Sequence, residues 1–183
     1  MENNILDQEQ SQPTTIQYAG FWERVGASLI DFLIFIPLFV LTYYNLMNLK
    51  NLVLALVLSF VWIIYKIYME GTKGATIGKR VMKIVVVNEN NEIINMNQSI
   101  ARNSLYIINT LLGLITTVMV FNAIGFEDNT SFMEVSKFQQ ENGFTAGGYF
   151  GFLILISIIW VAFDKQKQAL HDKIGKTYCA IRS

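Results

Sequence analysis

An acidic residue, Asp31, lies inside the first long apolar stretch of the chain, and a basic residue, Arg24, lies where that stretch begins. In a helix these two side chains lie about 20° apart around the axis and roughly 10 Å apart along it, so they share one face. Ala27 and Ser28 lie between them and form a smooth strip where another helix can approach closely. A carboxylate costs about 2.5–3.5 kcal/mol at the centre of a membrane helix. We therefore expect Asp31 to have a partner or a wet cavity, or to bind a proton or a cation.

Two interpretations of Asp31 stay open at the level of sequence. In the first, its carboxylate carries protons or cations through the membrane. In the second, it pairs with Arg24, with Arg102 or with a backbone group, and only holds helices together. Asn109 and Thr110, in a later apolar segment, are the obvious polar helpers at depth. For Arg24 itself the preferred interpretation is a topology signal that contacts lipid headgroups at the membrane edge, while the face shared with Asp31 keeps a functional role open.

Near the C-terminus, His171 and Asp172 are adjacent and form a candidate proton-shuttling pair. The alternative is that both anchor an amphipathic tail, which would let Asp172 meet Arg24 or Arg80 if the tail folds back. No Ser or Cys nucleophile accompanies the pair in a recognisable pattern, so the sequence predicts no catalytic residue and no enzyme. With one cysteine, Cys179, and one histidine, we also expect no metal site and no cofactor.

Glycines mark two further sites. Gly147 and Gly151 have the GxxxG spacing that permits close helix packing, within one chain or between two copies. The segment from Gly74 to Arg80 superficially suggests a phosphate loop, but no glycine lies five positions before Gly78, as the Walker pattern requires. We expect a tight turn there, followed by a basic patch that faces anionic lipid.

Composition places the chain among helical membrane proteins. Hydrophobic residues make up 52% of its 183 residues and charged residues only 15%, and the apolar residues are gathered in blocks. The expected fold class is all-α membrane, a four-transmembrane-helix bundle. The predicted spans are about residues 25–46, 52–69, 104–124 and 146–163.

The segments outside these spans differ in character. Residues 1–17 are polar and predict a disordered cytoplasmic tail, and residues 18–183 form the membrane domain. In the loop 70–103, β-branched runs on both sides of an Asn/Glu turn predict a small cytoplasmic β-hairpin between helices 2 and 3. The loop 125–145 is acidic, and its apolar residues at helical spacing indicate a short interfacial helix.

The distribution of Lys and Arg predicts the orientation. The loop 70–103 and the C-terminal tail carry five each, whereas the other two connections carry one each. Because basic residues concentrate on the cytoplasmic side, we expect this loop and both termini in the cytoplasm and the loop 125–145 outside. The formal net charge is zero. The bilayer is the expected partner, and no nucleic-acid partner is predicted.

Four pieces of the sequence, taken in order, resemble the bacterial RDD family, which is named for an arginine and two aspartates. The pieces lie at residues 21–31, 74–80, 102–103 and 168–177. By this resemblance Arg24, Asp31 and Asp172 are the name-giving residues. The resemblance implies a multi-pass protein of the bacterial inner membrane. Many family members are described as transporters, and some are linked to sodium/proton exchange.

Two functions are therefore expected. The first is a small transporter or cation/proton exchanger that uses the membrane-embedded carboxylate. It requires a homodimer or larger assembly, because four spans are few for a monomeric carrier. The alternative is a non-transporting, membrane-anchored accessory protein with a cytoplasmic protein partner. Secondary candidates for the ion or proton site are Arg80, Arg102, Asn109 and His171.

Overall fold

The fold is given by a computed structural model that describes residues 17–143 and 146–182, and side chains outside 144–150. The predicted tail 1–17 thus lies outside the described residues except for its last position. Eight helices and two strands follow in chain order within the described part. They are α1 (Phe21–Tyr44), α2 (Leu52–Lys73), α3 (Ile77–Val81), β1 (Ile84–Asn88), α4 (Met96–Arg102), α5 (Ser104–Asn122), α6 (Phe132–Asn142), α7 (Ala146–Ile159), α8 (Leu170–Gly175) and β2 (Thr177–Ile181).

Three helices of the described chain are long and apolar enough to cross a membrane, and they correspond to the first three predicted spans. Their bounds are Phe21–Leu49, where the π-helix Asn45–Leu49 continues α1, and Leu52–Lys73 and Ser104–Asn122. Helix α2 continues beyond the predicted end at residue 69, which brings Glu70 inside the helix. It ends at Gly74, which adopts a φ of 70° as a left-handed cap that favours glycine.

The fourth predicted span, 146–163, corresponds to α7 and a single 3-10 turn, Trp160–Ala162. Its described apolar part, Gly151–Ala162, is shorter than the other three apolar helices. At about 1.5 Å per residue, the fourteen residues of α7 rise about 21 Å, less than the roughly 30 Å of a hydrocarbon core.

The predicted β-hairpin is corrected by the structure. Strand β1 pairs antiparallel with β2, which comes from the C-terminal segment rather than from the same loop. The expected turn does form, since the Asn88 N–H donates to the Glu92 carbonyl at 2.9 Å. The returning chain makes only one bridge, between Val87 and Ile93. Helix α4 begins at Met96, so too few residues remain after the turn for a full strand.

The short helix predicted in the acidic loop is confirmed as α6. Ser131 caps it in a capping box: its hydroxyl accepts from the Glu134 N–H, and the Glu134 carboxylate accepts from the Ser131 N–H. Apolar side chains then join this helix to the ends of α1 and α5. The buried members of this cluster are Leu46, Val120, Phe126 and Val135.

The short elements gather at the opposite end of the long helices. Helix α3 packs on α1, α4 packs on α2 and α8, and β1 pairs with β2. The closest approach is at Gly78 of α3, where a Cβ atom would lie 2.0 Å from the carbonyl oxygen of Ala27. The smooth strip predicted on α1 is therefore the surface on which α3 lies, and glycine is required there.

Candidate functional site

Asp31 is buried, with 6% of its surface exposed, at the junction of α1, α2 and α3. Its Oδ1 accepts hydrogen bonds from the Gly78 N–H at 2.7 Å and from the Tyr65 hydroxyl at 2.8 Å. Its Oδ2 accepts from the Thr76 hydroxyl at 2.6 Å. We call Asp31 with these three donors the Asp31 centre. All three donors are neutral, and no ion pair in the described part of the chain includes Asp31.

The local sequence explains how these donors converge. Thr76 is the N-cap of α3, and its hydroxyl accepts from the Lys79 N–H. The Tyr65 hydroxyl, which donates to Asp31, also accepts from the Ile77 N–H at 2.9 Å. The first turn of α3 thus presents its backbone donors toward the α1–α2 junction. Of the partners expected for Asp31, the structure shows the backbone group, which is the Gly78 N–H. The structure places neither Arg24 nor Arg102 against this carboxylate.

Five charged residues form a second group, which we call the charge cluster: Arg24, Glu70, Lys79, Arg102 and Asp172. Arg24 Nη1 donates to Asp172 Oδ2 at 2.5 Å, and Arg102 Nη1 pairs with the other oxygen of Asp172. Arg102 Nε also contacts Glu70 Oε2 at 3.1 Å, and Lys79 Nζ lies 2.5 Å from Glu70 Oε1. The cluster therefore ties together α1, α2, α3, α4 and α8.

Both carboxylates of the charge cluster, Glu70 and Asp172, are fully buried. Burial alone would raise the pKa of Asp172, but Arg102 and Arg24 hold the pKa of this carboxyl far below its usual range. Asp172 is accordingly ionised at any physiological pH. Removing one partner from such a buried pair leaves an uncompensated charge, which makes the cluster a strong structural clamp.

The two guanidinium groups of the cluster also hold distant chain segments. Arg24 donates to the carbonyl of Lys167 at 2.6 Å and to the carbonyl of Ala19 at 3.1 Å. Arg102 donates to the Thr177 hydroxyl at 3.0 Å. The segments that precede α1 and follow α7 are thereby fixed to the same buried charges.

His171 anchors α8 to α7. Its Nδ1 lies 2.9 Å from the Ser157 hydroxyl, which also accepts from the His171 backbone N–H at 3.2 Å. Its Nε2 lies 3.4 Å from Asp172 Oδ1. Burial lowers the pKa of His171 to about 3, so the ring is neutral at physiological pH. The structure thus favours the anchoring interpretation over proton shuttling, and Ser157 is fully buried behind the ring.

The remaining predicted residues lie outside both groups. Arg80 is exposed and does not meet Asp172; it lines a surface cavity of about 370 Å³ together with Lys83 and Arg182. This is the predicted basic patch, although its expected member Lys79 is turned inward to Glu70. Asn109 is half-buried on α5, away from both groups.

The predicted glycine packing site is not seen at Gly151, where a Cβ atom would meet nothing within 4 Å. The structure does not describe the surroundings of Gly147, so packing of this helix between two copies of the chain stays a prediction. Close packing instead involves Gly175 of α8, whose Cβ would lie 2.8 Å from the Cβ of Arg102. Among the described residues, no group of three or more His, Cys, Asp or Glu is placed to hold a metal ion.

The family model described as RDD family matches residues 18–176. The chain belongs to the RDD family. No curated protein and no solved structure matches it. As an RDD protein with three helices long and apolar enough to cross a membrane, it is a membrane protein. The three residues that the resemblance implies to be name-giving are divided by the structure: Arg24 and Asp172 form an ion pair, whereas Asp31 lies apart on α1.

Sequence reasoning missed several residues of both groups in this RDD protein. Glu70 and Lys79 were assigned to a loop, because the predicted second span ended at residue 69. The donors to Asp31 on α2 and α3 were also missed, since they come from two separate elements. A usable signal was present for Glu70, which follows Lys66 by one helical turn, as charged partners on a continuing helix do.

Proposed function

We propose that this RDD protein is a small cation/proton exchanger in which Asp31 is the coupling carboxylate. One observation supports the proposal: among the residues that the structure describes, Asp31 is buried with neutral donors only, whereas Glu70 and Asp172 each contact two basic side chains. Fixed cations already neutralise the latter two. A buried carboxylate without such a partner is one that a proton or a metal cation can neutralise.

The surroundings of Asp31 suit competition between a proton and a hard cation. Besides the carboxylate, they offer the hydroxyl oxygens of Tyr65 and Thr76. A hydroxyl can rotate its proton away and present a lone pair, and hard cations prefer oxygen ligands. Because one carboxylate can hold either a proton or a cation, occupancy by one excludes the other. Such exclusion couples the two fluxes without a second site.

The proposal includes an arrangement in the bacterial inner membrane. Helix α7 and the 3-10 turn Trp160–Ala162 together act as the fourth span across a locally thinned bilayer. Both termini and the loop 70–103 face the cytoplasm, as the distribution of Lys and Arg favours. At least two copies assemble, because four spans are few for a monomeric carrier. The hydroxyls of Thr110 and Thr117 on α5 donate to carbonyls of their own helix, so they provide no relay within one chain.

Ion flux in proteoliposomes tests the proposal. A pH gradient is imposed across vesicles that contain the purified protein, and sodium and then potassium are added. We expect the cation to collapse the gradient with the wild type and not with Asp31→Asn. The matched control is Glu23→Gln, which removes a carboxylate from the same helix outside the Asp31 centre and should retain flux. Retained flux in correctly inserted Asp31→Asn would overturn the role of Asp31.

A second candidate function is favoured by the same intrahelical hydrogen bonds of Thr110 and Thr117, because these bonds occupy the hydroxyl protons that a polar relay along α5 would use. It is that of a non-transporting accessory protein whose partner binds on the cytoplasmic side. Affinity purification from gently solubilised membranes should then recover a stable partner protein. Recovery of the chain alone, together with cation-dependent flux, would exclude this candidate. Neither function includes catalysis.

A further inference from the structure

A small cavity of about 50 Å³ lies beside the charge cluster, between α1, α2, α5 and α7. Four basic side chains line it, and no carboxylate is among the lining residues. These side chains are Arg24, Lys66, Lys79 and Arg102. The cavity is thus positively charged on its walls although it lies inside the protein.

The positive charge around this cavity exceeds the negative charge that the cluster supplies. Within the charge cluster three basic residues share two carboxylates, those of Glu70 and Asp172. Lys66 adds a fourth basic side chain. Its Nζ lies 3.5 Å from the centre of the Tyr106 ring, and it belongs to no ion pair in the described part of the chain.

An enclosed excess of positive charge is costly unless an anion compensates it. The cavity is larger than the roughly 10–15 Å³ that one water molecule needs. Guanidinium forks and an ammonium group are the side chains that proteins use to hold phosphate. The Tyr106 hydroxyl, also in the lining, adds a neutral donor.

We propose that this cavity binds a small oxyanion of the phosphate type, either as free inorganic phosphate or as the headgroup of an anionic phospholipid. Lys66 is the residue whose charge is assigned to the anion, because the other three cations already have carboxylate partners. Asp31 is not among the residues that line the cavity, so this proposal does not rest on ion exchange.

The test measures binding to the purified full-length protein with two probes. In detergent, inorganic phosphate is titrated against chloride at equal ionic strength, and the melting temperature is recorded. In parallel, the lipid that stays bound is identified by native mass spectrometry after transfer from phosphatidylglycerol or from phosphatidylcholine vesicles. We expect phosphate to raise the melting temperature more than chloride, or phosphatidylglycerol to be retained in preference.

Variants of α2 decide where binding occurs. Lys66→Gln should weaken binding about tenfold, the effect of losing one charge-assisted hydrogen bond. Lys66→Arg should restore most of it. Lys73→Gln removes a lysine from the same helix at an exposed position and should bind like the wild type. If Lys66→Gln proves unstable, the phosphate titration and the lipid retention of the wild type still decide the proposal.

Each outcome has a defined meaning. A response to inorganic phosphate alone identifies a free oxyanion, and retention of phosphatidylglycerol without a phosphate response identifies a headgroup. Absence of both responses in the wild type overturns the proposal. Equal losses in Lys66→Gln and Lys73→Gln also overturn it, because they would indicate unspecific attraction to the basic surface.

Discussion

Two buried carboxylates of this protein, Asp31 and Asp172, are stabilised in opposite ways. Asp172 lies between two guanidinium groups that neutralise it permanently. Asp31 accepts hydrogen bonds from a backbone N–H and two hydroxyls, and within residues 17–143 and 146–182 no basic side chain pairs with it. A charge held by fixed countercharges serves architecture, whereas a charge held only by dipoles keeps the ability to exchange its counterion.

The comparison also divides Arg24, Asp31 and Asp172, the three residues that the sequence resemblance singled out. Arg24 and Asp31 share one helix and one face, yet they face different partners. Arg24 and Asp172 form an ion pair that joins α1 to α8, whereas Asp31 accepts a hydrogen bond from a backbone N–H in the first turn of α3. The same three residues thus combine a clamp with a candidate exchange site.

The largest expected effect comes from Asp172→Asn. The change leaves Arg24 and Arg102 without a countercharge at a buried site, which costs about 3–5 kcal/mol. Asp31→Asn removes no countercharge, and an amide can still accept the Gly78 N–H, so we expect a loss of only about 1 kcal/mol. Unfolding of both variants in detergent, followed by circular dichroism, measures the difference.

The control for these substitutions is Asp164→Asn, which breaks a more exposed pair with Lys173 and should lower stability far less than Asp172→Asn. If Asp31→Asn and Asp172→Asn lose equal stability, the division between clamp and exchange site is wrong.

The next largest effect is expected for Gly78→Ala, which tests the contact between α3 and α1. Its Cβ would lie 2.0 Å from the Ala27 carbonyl oxygen, so α3 must move away and carry its donors away from Asp31. We expect a loss of about 3 kcal/mol, at the upper end for overpacking. Gly113→Ala on α5 is the matched control, because its Cβ would meet nothing within 4 Å. A melting temperature unchanged in Gly78→Ala would contradict the close approach.

A smaller effect than that of Gly78→Ala is expected from His171, beside Asp172 in the charge cluster, and it is a dependence of stability on pH. Its pKa is about 3 in the folded protein and about 6.5 in the unfolded chain, so only the unfolded chain gains a proton between these values. The stabilisation is complete above pH 6.5 and is lost as the pH falls. Between pH 7 and pH 5 the loss is about 2 kcal/mol. His171→Gln should flatten the stability curve in this window, and an unchanged slope would exclude His171 as its source.

The apolar blocks predicted the long helices because membrane spans are encoded locally. The end of α2 was harder to predict from the sequence, because Glu70 and Lys73 look like loop residues. The helix continues over them because Glu70 forms ion pairs with Arg102 and Lys79 from other elements. Which residues share a face was predictable where all of them lie on one helix. The strip between Arg24 and Asp31 was identified from spacing alone, and α3 occupies it.

Pairings between distant segments were predictable only in part. The contact of Asp172 with Arg24 was anticipated as an option, since a tail that folds back brings opposite charges together. The pairing of β1 with β2 was not, because the turn at Asn88 gave β1 an apparent local partner. A local pattern cannot indicate that a strand far along the chain competes more effectively.

Arg24 and its countercharge are 148 positions apart, and this separation has a consequence for biogenesis. During translation, Arg24, Glu70, Lys79 and Arg102 are all synthesised long before Asp172. The ion pairs of Glu70 with Lys79 and Arg102 can form early. Arg24 cannot pair with Asp172 until α8 has been synthesised, although α1 is already in the membrane. The charge cluster is therefore completed only late in the synthesis of the chain. A chain interrupted before residue 172 would expose an unmatched arginine that cellular quality control can recognise.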